Sequence, residues 1–148
     1  MNHISIVNRA LTSEETELVN KGFDKLSLEE GIALESTERI SFVAMNENTL
    51  IGCASGLAHK NGERYSGWFH LTDLYVAKEF RNQGLGFDLL SALEEELKDL
   101  VIQNIWLWTS GAATLRFYNR HGYNQFAAME QWYSDGSSRI GFRKKLSV

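Results

Sequence analysis

A chain of 148 residues with 43% hydrophobic residues and a formal charge of −4 has the size and apolar content of one globular domain with its own core. Acidic and basic residues are interspersed, which argues against a broad basic face for nucleic acid, and no apolar run approaches the roughly 20 residues of a membrane span. Cys53 is the sole cysteine, so an intrachain disulfide and a multi-cysteine metal site are both excluded and no metal is expected.

In chain order, MNHISIVNRA lacks a basic segment followed by an apolar core, and the chain is therefore expected to be cytoplasmic. HISIV alternates like a short strand. Thr12, followed three residues later by Glu15, has the form of a capping box that opens a helix with Leu18, Phe23 and Leu26 near one face. Residues 28–38 read as a short second helix and a loop. RISFVAMN and TLIGCASGLAH read as strands joined at Glu47-Asn48, and Asn61-Gly62 marks a second reversal before YSGWFHLTDLYVA. The next helix carries Leu89, Leu93, Leu97 and Leu100 on one face, with Glu94 and Lys98 paired on the other. NIWLWT is a strand, AATLRFYNR a helix stopped by Gly122, and YNQFAAMEQWY with SRIGFRKKL a closing hairpin around Asp135-Gly136. No repeat, linker or low-complexity tract divides the chain, so residues 1–148 are expected to form a single domain. The order β-α-(α)-β-β-β-α-β-α-β-β places it in the α/β class, with a mixed, mostly antiparallel sheet flanked by helices.

The most informative stretch is LYVAKEFRNQGLGFDLL. The first amides of a helix have no intrahelical partner and carry the positive end of its dipole, so a strand, a glycine-bearing loop and a helix start together make an anion site. Arg81 adds a forked, permanently charged donor suited to a pyrophosphate. Gly84 and Gly86 equally suit a purely structural turn, and the residues alone leave both uses open. The GxxxxGK[ST] pattern is absent, and GLGFDL lacks the third glycine of the dinucleotide fingerprint.

LTDLYVAKEFRNQGLGFDLL is similar to the acetyl-CoA-binding motif of the GNAT superfamily of N-acetyltransferases, which runs strand, R/Q-x-x-G-x-G/A, helix. LRFYNRHGY resembles that superfamily's second signature, a helix bearing a tyrosine and ending at Gly-Phe or Gly-Tyr. The closing FYNRHGYNQFAAMEQWYSDGSSRIGFRKKL looks like a bacterial subgroup of small single-domain members with a Tyr-x-x-Gly turn and a lysine-rich last strand. The resemblance implies that backbone groups of Leu74, Tyr75 and Val76 pair with the pantetheine arm. It implies that the amides of Arg81, Asn82, Gln83, Gly84, Leu85 and Gly86 cradle the pyrophosphate, helped by the Arg81 side chain, and that Tyr118 sits near the CoA sulfur. Two positions depart from the pattern: Gly111 stands where many members carry an asparagine that holds the pantetheine, and Lys78 replaces a common proline.

Acetyl transfer from a thioester needs a neutral amine, support for the developing oxyanion and protection of the departing thiolate. A tyrosine is a weaker acid than a thiol by roughly 1.5 pKa units, or about 2 kcal/mol, so Tyr118 would act chiefly by hydrogen bonding. Tyr118 also fits a core aromatic at helical spacing from Leu115. Asp73, of opposite parity to Leu74 and Val76 on a regular strand, is the candidate base, with a solvated strand-end carboxylate as the plain alternative. His70 is the other titratable candidate on that strand, lone histidines being more often structural. Cys53 has no histidine partner at motif level. Arg116, Arg120 and His121 suit the negative end of their own helix better than an adenosine phosphate. Trp132 and Tyr133 suit either an acceptor pocket or a homodimer interface. The expected activity is acetyl transfer from acetyl-CoA directly to the primary amine of a small molecule or peptide. An acyl-CoA-binding sensor without turnover is the alternative, supported by Gly111, and a longer acyl donor is a further one.

Overall fold

The computed structural model describes residues 3–147. The chain divides between Leu34 and Glu35 into two compact units. In the first, α1 (Ser13–Glu29) opens on the capping box read from the sequence: the Glu15 amide donates to Thr12 Oγ1 at 3.1 Å, and the Thr12 amide donates to Glu15 Oε1 at 2.8 Å. Arg9 grips both Glu15 oxygens at 2.8 Å. The strand expected in HISIV does not form, because residues 3–12 are neither helix nor strand and residues 3–34 contain no second strand to complete a ladder. The short helix expected within 28–38 is also absent as a separate element: α1 runs on to Glu29, and the first strand already begins at Glu35.

The second unit contains β1 (Glu35–Asn46), β2 (Thr49–Asn61), β3 (Arg64–Val76), α2 (Leu85–Asp99), β4 (Asn104–Thr109), α3 (Ala112–Arg120), β5 (Asn124–Met129) and β6 (Arg139–Lys145). The strands form one six-stranded sheet in the order β1-β2-β3-β4-β6-β5. Only β3 and β4 run parallel among these neighbours, so the sheet is mixed and mostly antiparallel, as expected. The leucine stripe of α2 explains its place: Leu89, Leu90, Leu93 and Leu97 are buried together with Ala54, Phe69, Leu71, Ile105 and Leu107 of the strands. Each fully buried leucine is worth about 1.5–3 kcal/mol, which fixes the helix against β1, β2 and β3.

Two irregularities shape the region beside that core. Ser55 faces Asp73 and Gly56 faces Leu71, so Thr72 is an extra residue on β3, a bulge that shifts the strand's alternation by one. Leu71 lies in the core, and Leu74 and Val76 pack against it, while Thr72 and Asp73 are both exposed. Further, β3 pairs with β4 only from Trp68 to His70, so from Leu71 to Val76 its outer edge has no neighbouring strand. At the far side, β5 and β6 are joined through residues 130–138. The Asp135-Gly136 turn lies within that loop, where Asp135 Oδ1 accepts from the Ser137 amide at 2.9 Å. Trp132 and Tyr133 consequently stand on the loop instead of extending the strand.

Candidate active site

The unpaired edge of β3, the loop after it and the start of α2 surround a groove of about 900 Å³, closed on the opposite side by α3. Between strand and helix the chain passes through a short 3-10 turn, Lys78–Phe80, and then takes left-handed backbone at Asn82 (φ 62°) and Gly84 (φ 81°). The second of these is the N-cap of α2, and no side chain caps it. Glycine carries that conformation without the penalty a Cβ would bring. The amides of Asn82 through Phe87 meet no protein acceptor among the described residues, and the first intrahelical bond is Asp88 to the Gly84 carbonyl at 3.0 Å. A run of unsatisfied donors at a helix start, facing a groove, is the physical form of an anion cradle.

Of the residues expected in that cradle, Leu74, Tyr75, Val76, Arg81, Asn82, Gly84, Leu85 and Gly86 line the groove. Three details differ from the expectation. The Arg81 amide is occupied by the Lys78 carbonyl at 3.3 Å, and its side chain donates from Nε to the Val76 carbonyl at 2.9 Å, so the terminal nitrogens are what it still offers. Gln83 is not a wall residue; its amide group turns back towards the Glu79 carbonyl, 3.4 Å away. Arg120 and His121 do line the groove, His121 lying between the rings of Phe87 and Phe117 at centroid distances of 4.6 and 4.5 Å. Burial there lowers the His121 pKa, and Arg120 adds to the effect.

Gly111 has a backbone reason. It is the N-cap of α3 at φ 89° and ψ 132°, a region open essentially to glycine, so an asparagine would be strained at this position. Its carbonyl accepts the first helical bond, from Leu115 at 3.0 Å.

Tyr118 sits on the inner face of α3, buried, with its ring among those of Phe117, Tyr123 and Phe142 at 5.2, 5.3 and 5.9 Å. Burial raises its pKa far above the ordinary tyrosine value, so the hydroxyl stays protonated at any working pH. It makes no hydrogen bond to protein among the described residues, and no fully buried polar side-chain atom there lacks a partner; the hydroxyl therefore keeps access to the cavity. Tyr118 lines two cavities. A second recess of about 280 Å³ is walled by Leu71, Thr72, Asp73, Leu74, Leu107, Trp108, Thr109, Thr114 and Tyr118. Leu74, Thr114 and Tyr118 are common to both.

Asp73 belongs to the second recess, its carboxylate accepting from Thr72 Oγ1 at 2.7 Å with Arg39 3.8 Å away. Arg39 in turn donates to Ser55 Oγ at 2.9 Å and Thr72 Oγ1 at 3.1 Å, and Ser41 and Ser55 share a 2.6 Å hydrogen bond. This polar group across β1, β2 and β3 was missed in the sequence, where its members lie up to 34 positions apart; only the bulge brings Thr72 and Asp73 to it together. His70 is stacked on Trp106 with centroids 3.9 Å apart, and burial lowers its pKa, with repulsion from neighbouring cations contributing. Cys53 is half-buried opposite Tyr75 and lines neither cavity. Among the described residues no helix is long and apolar enough to cross a membrane, and no group of three or more His, Cys, Asp or Glu is placed to hold a metal.

Comparison with known proteins identifies the family and the fold. Residues 6–123 match the acetyltransferase (GNAT) family. The chain is 25% identical over 103 residues to the N-terminal acetyltransferase B complex catalytic subunit NAA20 of Arabidopsis thaliana, a match covering 68% of this chain and 58% of that protein. It thus spans little more than half the length of that relative. An acetyltransferase crystal structure from Bacillus cereus superposes with a TM-score of 0.77 at 25% identity, covering 98% of each chain. A Bacillus anthracis acetyltransferase crystallised with acetyl coenzyme A superposes with a TM-score of 0.61 at 19% identity over 76% of this chain and 65% of that one. This chain belongs to the GNAT acetyltransferase family.

Proposed function

We propose that this chain transfers the acetyl group of acetyl-CoA directly to the primary amine of a small molecule or peptide. The observation that carries the reading is the position of Tyr118, a protonated phenol at the junction of two cavities. The larger has the size and donor set for a CoA arm: an open strand edge at Leu74 to Val76 for amide groups, then free amides from Asn82 for phosphate oxygens. The smaller recess holds Asp73 and takes the amine. In this arrangement the amine nitrogen attacks the thioester carbon, the carbon–sulfur bond breaks, and the amine proton leaves through Asp73, directly or by water. Tyr118 donates its hydrogen bond to the sulfur as charge develops there. Its raised pKa favours donation over full proton transfer, since the thiol is the stronger acid.

Gly111 does not favour the sensor alternative, because its backbone conformation accounts for it. Two measurements test the reading together: the thermal shift produced by acetyl-CoA, and CoA release in the presence of a panel of amines. A thermal shift with CoA release for at least one amine supports enzyme action. A thermal shift with no release from any amine supports the sensor, and no shift at all removes the cofactor assignment.

A further inference from the structure

We propose that Arg139 recognises a carboxylate on the acceptor, so that the preferred amine substrate also carries an acidic group. This rests on the acetyl-transfer reading above and names the class of amine it takes.

Arg139 opens β6 and is half-buried. Its neighbour Ile140 pairs with Thr109, a wall residue of the smaller recess. Its guanidinium carbon lies 5.3 Å from the Trp108 ring centroid and 5.3 Å from that of Trp132. Trp108 is itself a wall of the recess and Arg139 is not, so the guanidinium stands one residue back from the proposed amine site, next to that wall. Two rings hold the cation, and among the described residues it forms no ion pair and no hydrogen bond; Arg143, over Trp68 at 5.0 Å, shares the lack of a partner but has one ring and does not adjoin the recess. A guanidinium fixed over aromatic rings keeps its N–H fork for a planar oxyanion, and a carboxylate matches that fork with two hydrogen bonds.

The clamp is built to stay in place. Trp108 contacts Phe126 at 5.9 Å and meets Trp106 edge to face at 6.0 Å, and Trp106 stacks on His70 at 3.9 Å. With Trp108 held in that stack, one face of the Arg139 guanidinium is already seated before binding, which is the condition for a charged contact to add affinity. Asp73, with Arg39 3.8 Å away as its own counter-ion, is the carboxylate of the recess for the ammonium form of the acceptor, and Arg139 is the cation left without an anionic partner for its carboxylate. A polyamine would bring a cation to Arg139, and the contact would repel it.

The test compares acceptors that differ by a carboxylate, with rates referred to the concentration of neutral amine because glycine is the more basic amine of its pair. Glycine and glycinamide give the free amino acid pair. Peptides Ala-Glu-Ala-amide and Ala-Gln-Ala-amide give the acidic peptide pair. Wild-type protein is expected to acetylate the acidic member of at least one pair with a kcat/KM roughly 10- to 100-fold higher, mostly through KM, and the pair that responds identifies the source of the carboxylate. In Arg139→Gln the ratio is expected to fall towards one, and in Arg139→Lys to recover in part. Calorimetric titration of the same four compounds into CoA-loaded protein reads the preference without turnover, so a failure of catalysis is told apart from a failure of recognition. A melting temperature and acetyl-CoA affinity near wild type would certify that the variants are folded. Equal binding of acidic and neutral members by the wild type, or an acid preference that survives Arg139→Gln, overturns the assignment.

Discussion

The rings of Tyr118 and Tyr123 meet nearly edge to face, centroids 5.3 Å apart and planes at 69°, but their hydroxyls have opposite surroundings. That of Tyr123 donates to Glu94 Oε2 at 2.8 Å, and Lys144 closes the group by donating to Glu94 Oε1 at 2.8 Å, so Glu94 is buried and does not form the expected pair with Lys98, which instead meets Glu95 at 3.0 Å. That of Tyr118 has no protein acceptor among the described residues and is not fully buried, and the residue lines both cavities. One phenol ties α2 to the end of the sheet, and its neighbour is left free for a ligand.

Tyr118→Phe removes the free hydroxyl and keeps the ring among Phe117, Tyr123 and Phe142. Stability and acetyl-CoA affinity are expected to change little, because nothing in the protein loses a hydrogen bond. The rate with a working amine is expected to fall by roughly 10²-fold, the low end for a positioned donor, since a thiolate is already a fair leaving group. Rate measurements at saturating acetyl-CoA check this; a wild-type rate would make Tyr118 a packing residue only.

Tyr123→Phe should do the reverse. It takes one of two partners from a carboxylate whose side chain is 11% exposed, and a hydrogen bond to a charged group is worth about 1.5–3 kcal/mol. A loss of about 2 kcal/mol in urea unfolding is expected, with acetyl-CoA binding retained under native conditions.

Gly86→Glu tests the cradle with less distortion than a change at Gly84, whose left-handed backbone strains any side chain. A Cβ at Gly86 meets only Phe117 and Val76, at 3.8 Å, so the fold should tolerate it. The carboxylate would stand at the free helix amides and repel phosphate, abolishing the thermal shift by acetyl-CoA. A folded variant that keeps the shift would place the cofactor elsewhere.

Asp73→Asn is expected to lower kcat/KM most near neutral pH and progressively less as pH rises, because more of the amine is then already neutral and needs no base. A pH–rate profile parallel to wild type would remove Asp73 from proton transfer and leave it the role of binding the ammonium.

In the first unit, the Arg9 fork and the Thr12 amide hold the Glu15 carboxyl down at about 2, from an ordinary 4.5. A depressed carboxylate pKa contributes stability above its unfolded value and loses it as pH falls through the folded one, so the support this gives to α1 should fade between about 4.5 and about 2. An NMR titration of the Glu15 side chain checks the value, and Arg9→Ala should move it upward.

What the sequence determined by itself was whatever local chemistry controls. The Thr12 and Glu15 capping box, the leucine stripe of α2, the strand at Asn104–Thr109, the α3 boundaries and the glycine-bearing loop at Asn82 to Gly86 each depend on residues within a turn or two of one another. The same locality explains the errors. Alternation in HISIV cannot make a strand without a partner, and Trp132 and Tyr133 left the hairpin because the ladder's last pair, Met129 with Arg139, lies nine residues of loop from its own return. Only the tertiary structure decided the rest. The Thr72 bulge changes which side of β3 faces the core, the parting of β3 from β4 after His70 opens the strand edge, and Tyr118 joins two cavities because α3 crosses that opening. The Glu94–Tyr123–Lys144 group and the contact of Arg139 with Trp108 join residues tens of positions apart, and their partners are set by register and packing, which no short window of sequence contains.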